Sequence, residues 1–210
     1  MRELGNSVER VLDPLALLLP VVAAALAVPQ FVPQFLRLWR ARDPAGVSWL
    51  GLSLTAVNNV GWLVYFAASG YLTALPTAAA AAGGAAATAA LLSRLRRPGA
   101  GDRTVIAGWG LALVVLGLTG GPVVLGAALT AAGLAQLGPS LWSAYRTAHP
   151  TGISAGTWML ATGELVCWAL FGVYQGDPRI TTLGSVGATG GALVCVRALR
   201  AAPAPASAQG

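Results

Sequence analysis

The sequence matches itself, without a gap, when it is shifted by 106 residues. Over the 41 positions from Gln30 to Gly70, ten residues are identical to those 106 positions later. The identical pairs are Gln30/Gln136, Pro33/Pro139, Arg40/Arg146, Pro44/Pro150, Gly46/Gly152, Ser48/Ser154, Leu54/Leu160, Val60/Val166, Trp62/Trp168 and Gly70/Gly176. Two unrelated apolar helices would share alanine and leucine instead. The chain is therefore a duplicated unit, and an internal repeat constrains the architecture more than any other feature.

Long uncharged stretches indicate that the duplicated unit lies in a membrane. No charged residue occurs in the 50 residues from Pro44 to Ser93, or in the 42 residues from Thr104 to Tyr145. Because a bilayer core of about 30 Å is crossed by roughly 20 apolar residues, each stretch holds two helices. Segments 14–36, 150–176 and 180–196 supply three more. We therefore predict an all-α integral membrane protein with seven transmembrane helices.

Seven helices and two copies predict a 3+1+3 arrangement. The first triple-helix repeat covers residues 11–97, a linker helix covers 104–120, the second repeat covers 121–200, and 201–210 is a disordered cytoplasmic tail. Two copies of three helices joined directly would be inverted relative to each other. The single crossing of the linker helix makes the two bundles parallel.

The arginines predict the orientation, since all 13 basic residues are arginine. Cytoplasmic loops carry an excess of basic residues. One set of alternate loops holds Arg37, Arg40, Arg42, Arg94, Arg96, Arg97, Arg103, Arg146, Arg197 and Arg200. We predict that these loops are cytoplasmic, with the N-terminus outside, the C-terminus inside and a bacterial plasma membrane as the location. The arginines are spread over successive loops, which argues against nucleic acid as a partner.

A proline recurs in the first helix of each copy. Pro33 is flanked by Gln30 and Gln34, and Pro139 is preceded by Gln136. Proline inside a helix removes a backbone hydrogen bond and leaves a kink or a soft point. A glutamine one turn away can satisfy the freed carbonyl. These residues are predicted to form hinges, with static kinks as the alternative.

A stripe of polar and aromatic residues recurs in the second helix of each copy. Positions i, i+4 and i+7 share one helix face. The stripe is Asn58, Trp62 and Tyr65 in the first copy and Glu164, Trp168 and Phe171 in the second. Facing each other across the repeat axis, the two stripes would form a slot with aromatic walls and polar rims, as small-molecule pockets have. Asn59 is a further candidate for this slot, and the alternative role of the tryptophans is interfacial anchoring.

Glu164 is the ionisable residue that lies well inside a predicted span. A charged residue at that depth is costly, so it indicates a functional site. It is predicted to bind solute; the alternatives are a proton-carrying site and a protonated structural residue. The sequence shows no nucleotide-binding loop, no metal-ligand cluster and no nucleophile–base pair. We therefore expect no enzymatic activity, no cofactor and no metal.

Two motifs carry a resemblance to a known family. The first copy reads Pro33-Gln34, a basic turn, Pro44-Ala45-Gly46-Val47-Ser48 and then Trp62-x-x-Tyr65. This resembles the PQ-loop repeat, and the second copy is similar from Gln136 to Phe171. The 3+1+3 arrangement resembles SWEET transporters, and each half resembles a bacterial SemiSWEET; parallel repeats of this kind are described for SWEETs.

The resemblance implies a passive uniporter in which two triple-helix bundles rock about the proline hinges. It also implies a central site with Trp62 and Trp168 and an asparagine on the third helix of each repeat. This chain has Ala78 and Ala79 near the first of these positions and Gly184 and Ser185 near the second. The expected partners are the bilayer, a small polar solute (first of all a sugar) and, as one possibility, a second copy of the chain. The alternatives are a proton-coupled carrier of an amino acid or other small solute, with Glu164 as the proton site, and a non-transporting scaffold.

Overall fold

The chain is all-helical in a computed structural model that describes residues 14–42, 44, 47–146 and 155–201. The long helices of this described part are α1 (Pro14–Ala41), α2 (Trp49–Ser69), α3 (Leu75–Leu95), α4 (Ala100–Arg146), α5 (Ala155–Gln175) and α6 (Pro178–Ala201), with a short 3₁₀ turn, Leu72–Ala74, before α3. All six are long and apolar enough to cross a membrane. The predicted all-α class with spans of membrane length is confirmed.

Helix α4 differs from the prediction of seven separate helices. The predicted linker and the first helix of the second copy form one element of 47 residues. Within it Gly121 has φ 64° and ψ −165°, which is not helical. That backbone region is essentially restricted to glycine. The described residues therefore contain six long helices, and the fourth is interrupted where the sequence predicts a break, before Pro122.

The two halves repeat one packing order. In the first half α3 packs against both α1 and α2, and in the second half α6 packs against both α4 and α5. The halves meet where α1 packs on α5 and where α2 packs on α4. The equivalent helices therefore make equivalent contacts, as a duplicated unit with a pseudo-twofold axis requires.

Glycines allow the closest of these helix pairs to approach. A Cβ added at Gly184 would lie 2.2 Å from the backbone nitrogen of Ala169, and one added at Gly172 would lie 2.4 Å from that of Thr181. Both contacts join α5 to α6, so an alanine at either position would force the two helices apart. Small residues of this kind let membrane helices pack without a hydrophobic driving force.

The bundle has two distinct ends. We name the turn end for Gly70 and Gly176, which end α2 and α5 with φ of 77° and 66°. At the other end, the arginine end, Arg40, Arg94 and Arg200 lie in the last turns of α1, α3 and α6. Positive charge stabilises helix C-termini.

Several predicted features fall outside the described residues. They are the first 13 residues, the second basic turn with Pro150, and the tail beyond residue 201.

Candidate solute-binding site

A cavity of about 170 Å³ lies where the two halves meet. It is lined by Thr55, Asn58, Asn59, Trp62, Phe66, Thr77, Ala78, Ala81, Gly133, Gln136, Glu164, Leu165, Trp168, Ile180 and Leu183. Five of the residues predicted to bind solute therefore line one cavity. Gln136, one of the residues predicted at the hinges, lines it too. Polar side chains from α2, α3, α4 and α5 converge there on an aromatic wall, which is the composition expected of a small-solute site.

The aromatic wall consists of three stacked rings and not of two facing tryptophans. The ring of Phe66 lies 5.5 Å from Trp62 at 30° and 5.4 Å from Trp168 at 17°, between centroids. One phenyl ring thus joins the two tryptophans across the halves. The position equivalent to Phe66 in the second copy is Gly172, which packs closely against Thr181 of α6.

Glu164 lies in the cavity wall and accepts two hydrogen bonds. Gln30 Nε2 donates to Oε2 over 2.9 Å, and Trp168 Nε1 donates to Oε1 over 3.3 Å. The first of these bonds joins α1 to α5, and so joins the two halves. Among the described residues, no arginine forms a salt bridge with this carboxyl.

Asn58, the counterpart of Glu164, has a different partner. Its Oδ1 accepts a 2.7 Å hydrogen bond from Nε1 of Trp109, which lies in the first part of α4, before Gly121. Asn58 is only 6% exposed. Its neighbour Asn59 donates from Nδ2 to the carbonyl of Thr55 over 2.9 Å. The predicted linker segment, through Trp109, therefore helps to hold the side chain of Asn58 in place at the cavity.

Tyr65 and Phe171 do not line the cavity, although the stripe pattern predicts that they bind solute. They are 1% and 0% exposed and lie beyond the aromatic wall, toward the turn end. The hydroxyl of Tyr65 donates to Asp177 Oδ2. The ring of Phe171 packs edge-on against Tyr71 at 5.7 Å between centroids. We call these four residues the turn-end seal.

The turn-end seal is pseudo-symmetric. Position 71 is the equivalent of position 177, and position 65 that of position 171. Tyr65, near the end of α2, contacts the turn that follows α5 in the other half. Phe171, near the end of α5, contacts the turn that follows α2. One pair is a hydrogen bond to a carboxylate, and its counterpart is a contact between two rings. Both cross between the halves, so the seal holds only while the halves are close at this end.

Arg179 contacts the buried carboxylate of the seal, Asp177, through both its side chain and its backbone. Its guanidinium lies 3.7 Å from Asp177 Oδ1 and donates from Nε to the carbonyl of Val123 over 3.1 Å. Its backbone N–H donates to the same Asp177 oxygen over 2.9 Å. Burial, and next the negative charge of Asp177, raise the pKa of Tyr71 to about 12. The seal therefore contains a neutral phenol at Tyr71 and a fully partnered carboxylate.

The prediction that Gln30 satisfies the backbone carbonyl freed by Pro33 is wrong. Proline at position 33 frees the carbonyl four residues earlier, which belongs to Pro29. Both amide hydrogens of Gln30 are used elsewhere, one on the Leu26 carbonyl at 3.1 Å and one on Glu164. Gln30 instead connects the proline-containing turn of α1 to the wall of the cavity.

The two prolines of the repeat lie within continuous helices, Pro33 in α1 and Pro139 in α4. Both are exposed, and each follows by one turn, on the same helix face, a glutamine next to the cavity: Gln30 and Gln136. Gln34 is half-buried. The prolines therefore lie on the arginine-end side of the cavity, opposite the turn-end seal.

Three important residues are missing from the sequence prediction. Phe66 lies one turn after Trp62 on the same face, so the stripe could have included it, but its counterpart is a glycine. Trp109 lies outside the repeat. Asp177 falls just after the matched window, opposite a tyrosine. Comparison of the two copies identifies residues that are alike in both. Phe66 and Asp177 differ from their counterparts, and Trp109 has none.

Comparison with known proteins supports the fold. No protein-family model matches the chain, and no curated protein matches it. The chain is similar to a solved structure described as a eukaryotic SWEET transporter, with a TM-score of 0.72 and 18% identity over 90% of this chain and 97% of that one. The chain has a SWEET-like fold. The resemblance first drawn from the repeated motifs is thereby confirmed at the level of the fold.

Proposed function

We propose that the chain is a membrane transporter that carries a small polar solute, first of all a sugar, by alternating access. The observation that supports this most is a polar and aromatic cavity between two equivalent halves, closed at one end by contacts that cross between them. Separation of the halves at the turn end would break the seal and open the cavity there. The fold match, to a structure described as a transporter, agrees with this function.

The transmembrane arrangement we propose has seven spans. A straight helix of 47 residues would be about 70 Å long, more than twice the bilayer core of about 30 Å. The non-helical Gly121 divides α4 into two segments, each long enough for one crossing. The first is the linker helix and the second opens the second repeat, which gives the 3+1+3 order. The arginine end then faces the cytoplasm and the turn end faces outside.

Pro33 and Pro139 are the proposed hinges, with Gln34 beside the first. They lie on the opposite side of the cavity from the seal, where bending would widen one end as the other closes. Alanine at Pro33 would restore a backbone hydrogen bond and straighten α1, so transport should slow while the folded fraction of the protein is kept. An unchanged transport rate would leave the proline as a static kink.

A proton-coupled carrier is the second candidate, because Glu164 lies in the cavity wall and its hydrogen bond to Gln30 crosses between the halves. A carboxyl in that place could load and release a proton as the halves separate. In this mechanism Glu164→Gln abolishes accumulation driven by a pH gradient but keeps exchange of solute.

Uptake into proteoliposomes, with and without a pH gradient, tests both candidates. Uniport predicts uptake that is independent of the gradient, in wild type and in Glu164→Gln alike. Coupling predicts accumulation that only wild type shows. Asp102→Asn, which removes a half-buried carboxyl outside the cavity, is the control. Absence of uptake for a panel of sugars, amino acids and amines would contradict both mechanisms and favour a scaffold.

A further inference from the structure

Two threonine hydroxyls in the cavity wall can act only as acceptors toward a solute. A threonine hydroxyl has one hydrogen to donate. That of Thr55 goes to the carbonyl of Gly51 over 3.0 Å, and that of Thr77 goes to the carbonyl of Pro20 over 2.9 Å. Both hydroxyls therefore present only oxygen lone pairs to the cavity they line.

The orientation of the two asparagine amides follows from their partners. The indole N–H of Trp109 can only donate, so the Asn58 atom that faces it at 2.7 Å is the oxygen. The carbonyl of Thr55 can only accept, so the Asn59 atom that faces it is the nitrogen. Asn58 consequently has its N–H groups left to donate, and Asn59 has its oxygen left to accept and one N–H left to donate.

Glu164 adds a carboxyl group to this set. Each of its oxygens accepts one hydrogen bond, and each keeps a further lone pair. Of the residues described as lining the cavity, none is cationic. The arginine at the turn end, Arg179, is held by Asp177 and the Val123 carbonyl. The carboxylate therefore has hydrogen bonds but no counter-charge.

The rings of Trp62, Phe66 and Trp168 complete the environment. Aromatic faces carry a negative quadrupole that attracts cations. A neutral polyol could donate hydroxyl hydrogens to the acceptors, but the buried carboxyl would then keep its proton, because a buried charge without a counter-charge is costly. A solute with its own positive charge supplies both the donors and the missing charge.

From this geometry we propose that the transported solute is a small organic cation, a hydroxylated compound with a protonated amine, and that Glu164 is its counter-ion. The inference rests on the proposed transport function and specifies its substrate class. In the bound state the ammonium group lies against the Glu164 carboxylate and the aromatic wall, and the hydroxyl groups of the solute donate to Thr55, Thr77 and Asn59.

The test compares matched solutes that differ in charge. Glucosamine is compared with glucose, and ethanolamine with its neutral counterpart ethylene glycol, at pH 6.5 so that the amines are protonated. Binding to the purified full-length protein is measured by calorimetry, and exchange is measured by counterflow in proteoliposomes without a pH gradient. We expect the cation of at least one pair to bind about tenfold tighter or more, as a charge-assisted hydrogen bond provides.

Two variants assign the preference to the carboxyl. Glu164→Gln should reduce the cation preference to about twofold or less, because the charge is lost and the shape is kept. Asn58→Asp should increase it, since Trp109 can still donate to an oxygen there while a second negative charge is added. The second variant provides an independent measurement if the first does not fold.

Equal affinity for cation and neutral partner in both pairs would overturn the inference, as would a preference that neither variant changes. Absence of any cation binding would overturn it too. Counterflow of glucose without a cation preference would refute this substrate class and keep the transport function. Cation-selective binding without counterflow would refute transport and keep the substrate class.

Discussion

Removal of one hydroxyl from the turn-end seal should shift the protein toward a state open at that end. Tyr65→Phe keeps the ring, which is 1% exposed and well packed, and deletes only the group that donates to Asp177. Because Tyr65 lies in one half and Asp177 in the other, the lost bond is made only while the halves are close. The substitution therefore weakens the closed state more than the open one.

The size of the shift follows from the partners that remain. A hydrogen bond to a charged group contributes about 1.5–3 kcal/mol. Asp177 keeps the backbone N–H of Arg179 at 2.9 Å and its guanidinium at 3.7 Å, so the carboxylate does not lose all its partners. The lower value of about 1.5 kcal/mol applies, which corresponds to an increase of about tenfold in the open population.

Cysteine accessibility measures that population. Ala78, buried in the cavity wall near the start of α3, is replaced by cysteine in a protein whose Cys167 and Cys195 are replaced by alanine. The rate of modification by a membrane-impermeant thiosulfonate, added from the turn-end side, should rise about tenfold with Tyr65→Phe. Tyr145→Phe is the matched control, since its hydroxyl bonds to the Leu193 carbonyl at the arginine end.

An equal modification rate in Tyr65→Phe and its parent would show that the contact does not hold the turn end closed. A rise of the same size in Tyr145→Phe would attribute the effect to general loosening of the bundle.

Three further predictions concern the orientation, the aromatic wall and the seal. Cysteine at Gly70 should be labelled from outside in intact cells, and cysteine at Gly99 only after permeabilisation; the reverse pattern would overturn the proposed orientation. Trp168→Ala should weaken solute binding severalfold, because one stacked ring contributes about 1 kcal/mol, and Trp168→Phe should weaken it less; unchanged affinity would place the site elsewhere. Subtracting the alkaline absorbance titration of Tyr71→Phe from that of wild type should show a phenol that ionises near pH 12. Since an unfolded tyrosine ionises near pH 10, wild type should lose thermal stability relative to Tyr71→Phe as the pH rises through that interval, and equal losses would contradict the buried position of this ring.

The sequence predicts the helices well because their signal is strong. Uncharged stretches of membrane length and the repeated Pro, Gly and Trp positions identify every described helix and the break at Gly121. The exact form of that break was not predictable. Gly121 is followed by a proline that suits the first turn of a helix, so the chain bends there and continues directly into the next helical segment.

The stripe pattern predicts the site in part, because a helix face is longer than a cavity. Asn58 and Tyr65 share a face, but at 1.5 Å per residue they are about 10 Å apart along the axis. The cavity includes Asn58 and Trp62 and ends at the aromatic wall, where the halves converge. Periodicity assigns residues to a face, whereas the convergence of helices, which decides which part of that face stays open, is a tertiary property.

Duplication within one chain explains why the contacts at the axis are asymmetric. At a pseudo-twofold axis equivalent residues approach each other, so two large or two like-charged side chains would compete for one space. The cavity wall has one phenyl ring, Phe66, whose counterpart in the second copy is Gly172, and one carboxyl, Glu164, whose counterpart in the first copy is Asn58. A ring in place of Gly172 would meet the backbone of Thr181 in α6. A symmetric dimer of identical halves cannot carry a carboxyl in one half alone; a fused chain can, and the cation selectivity proposed above depends on that single group.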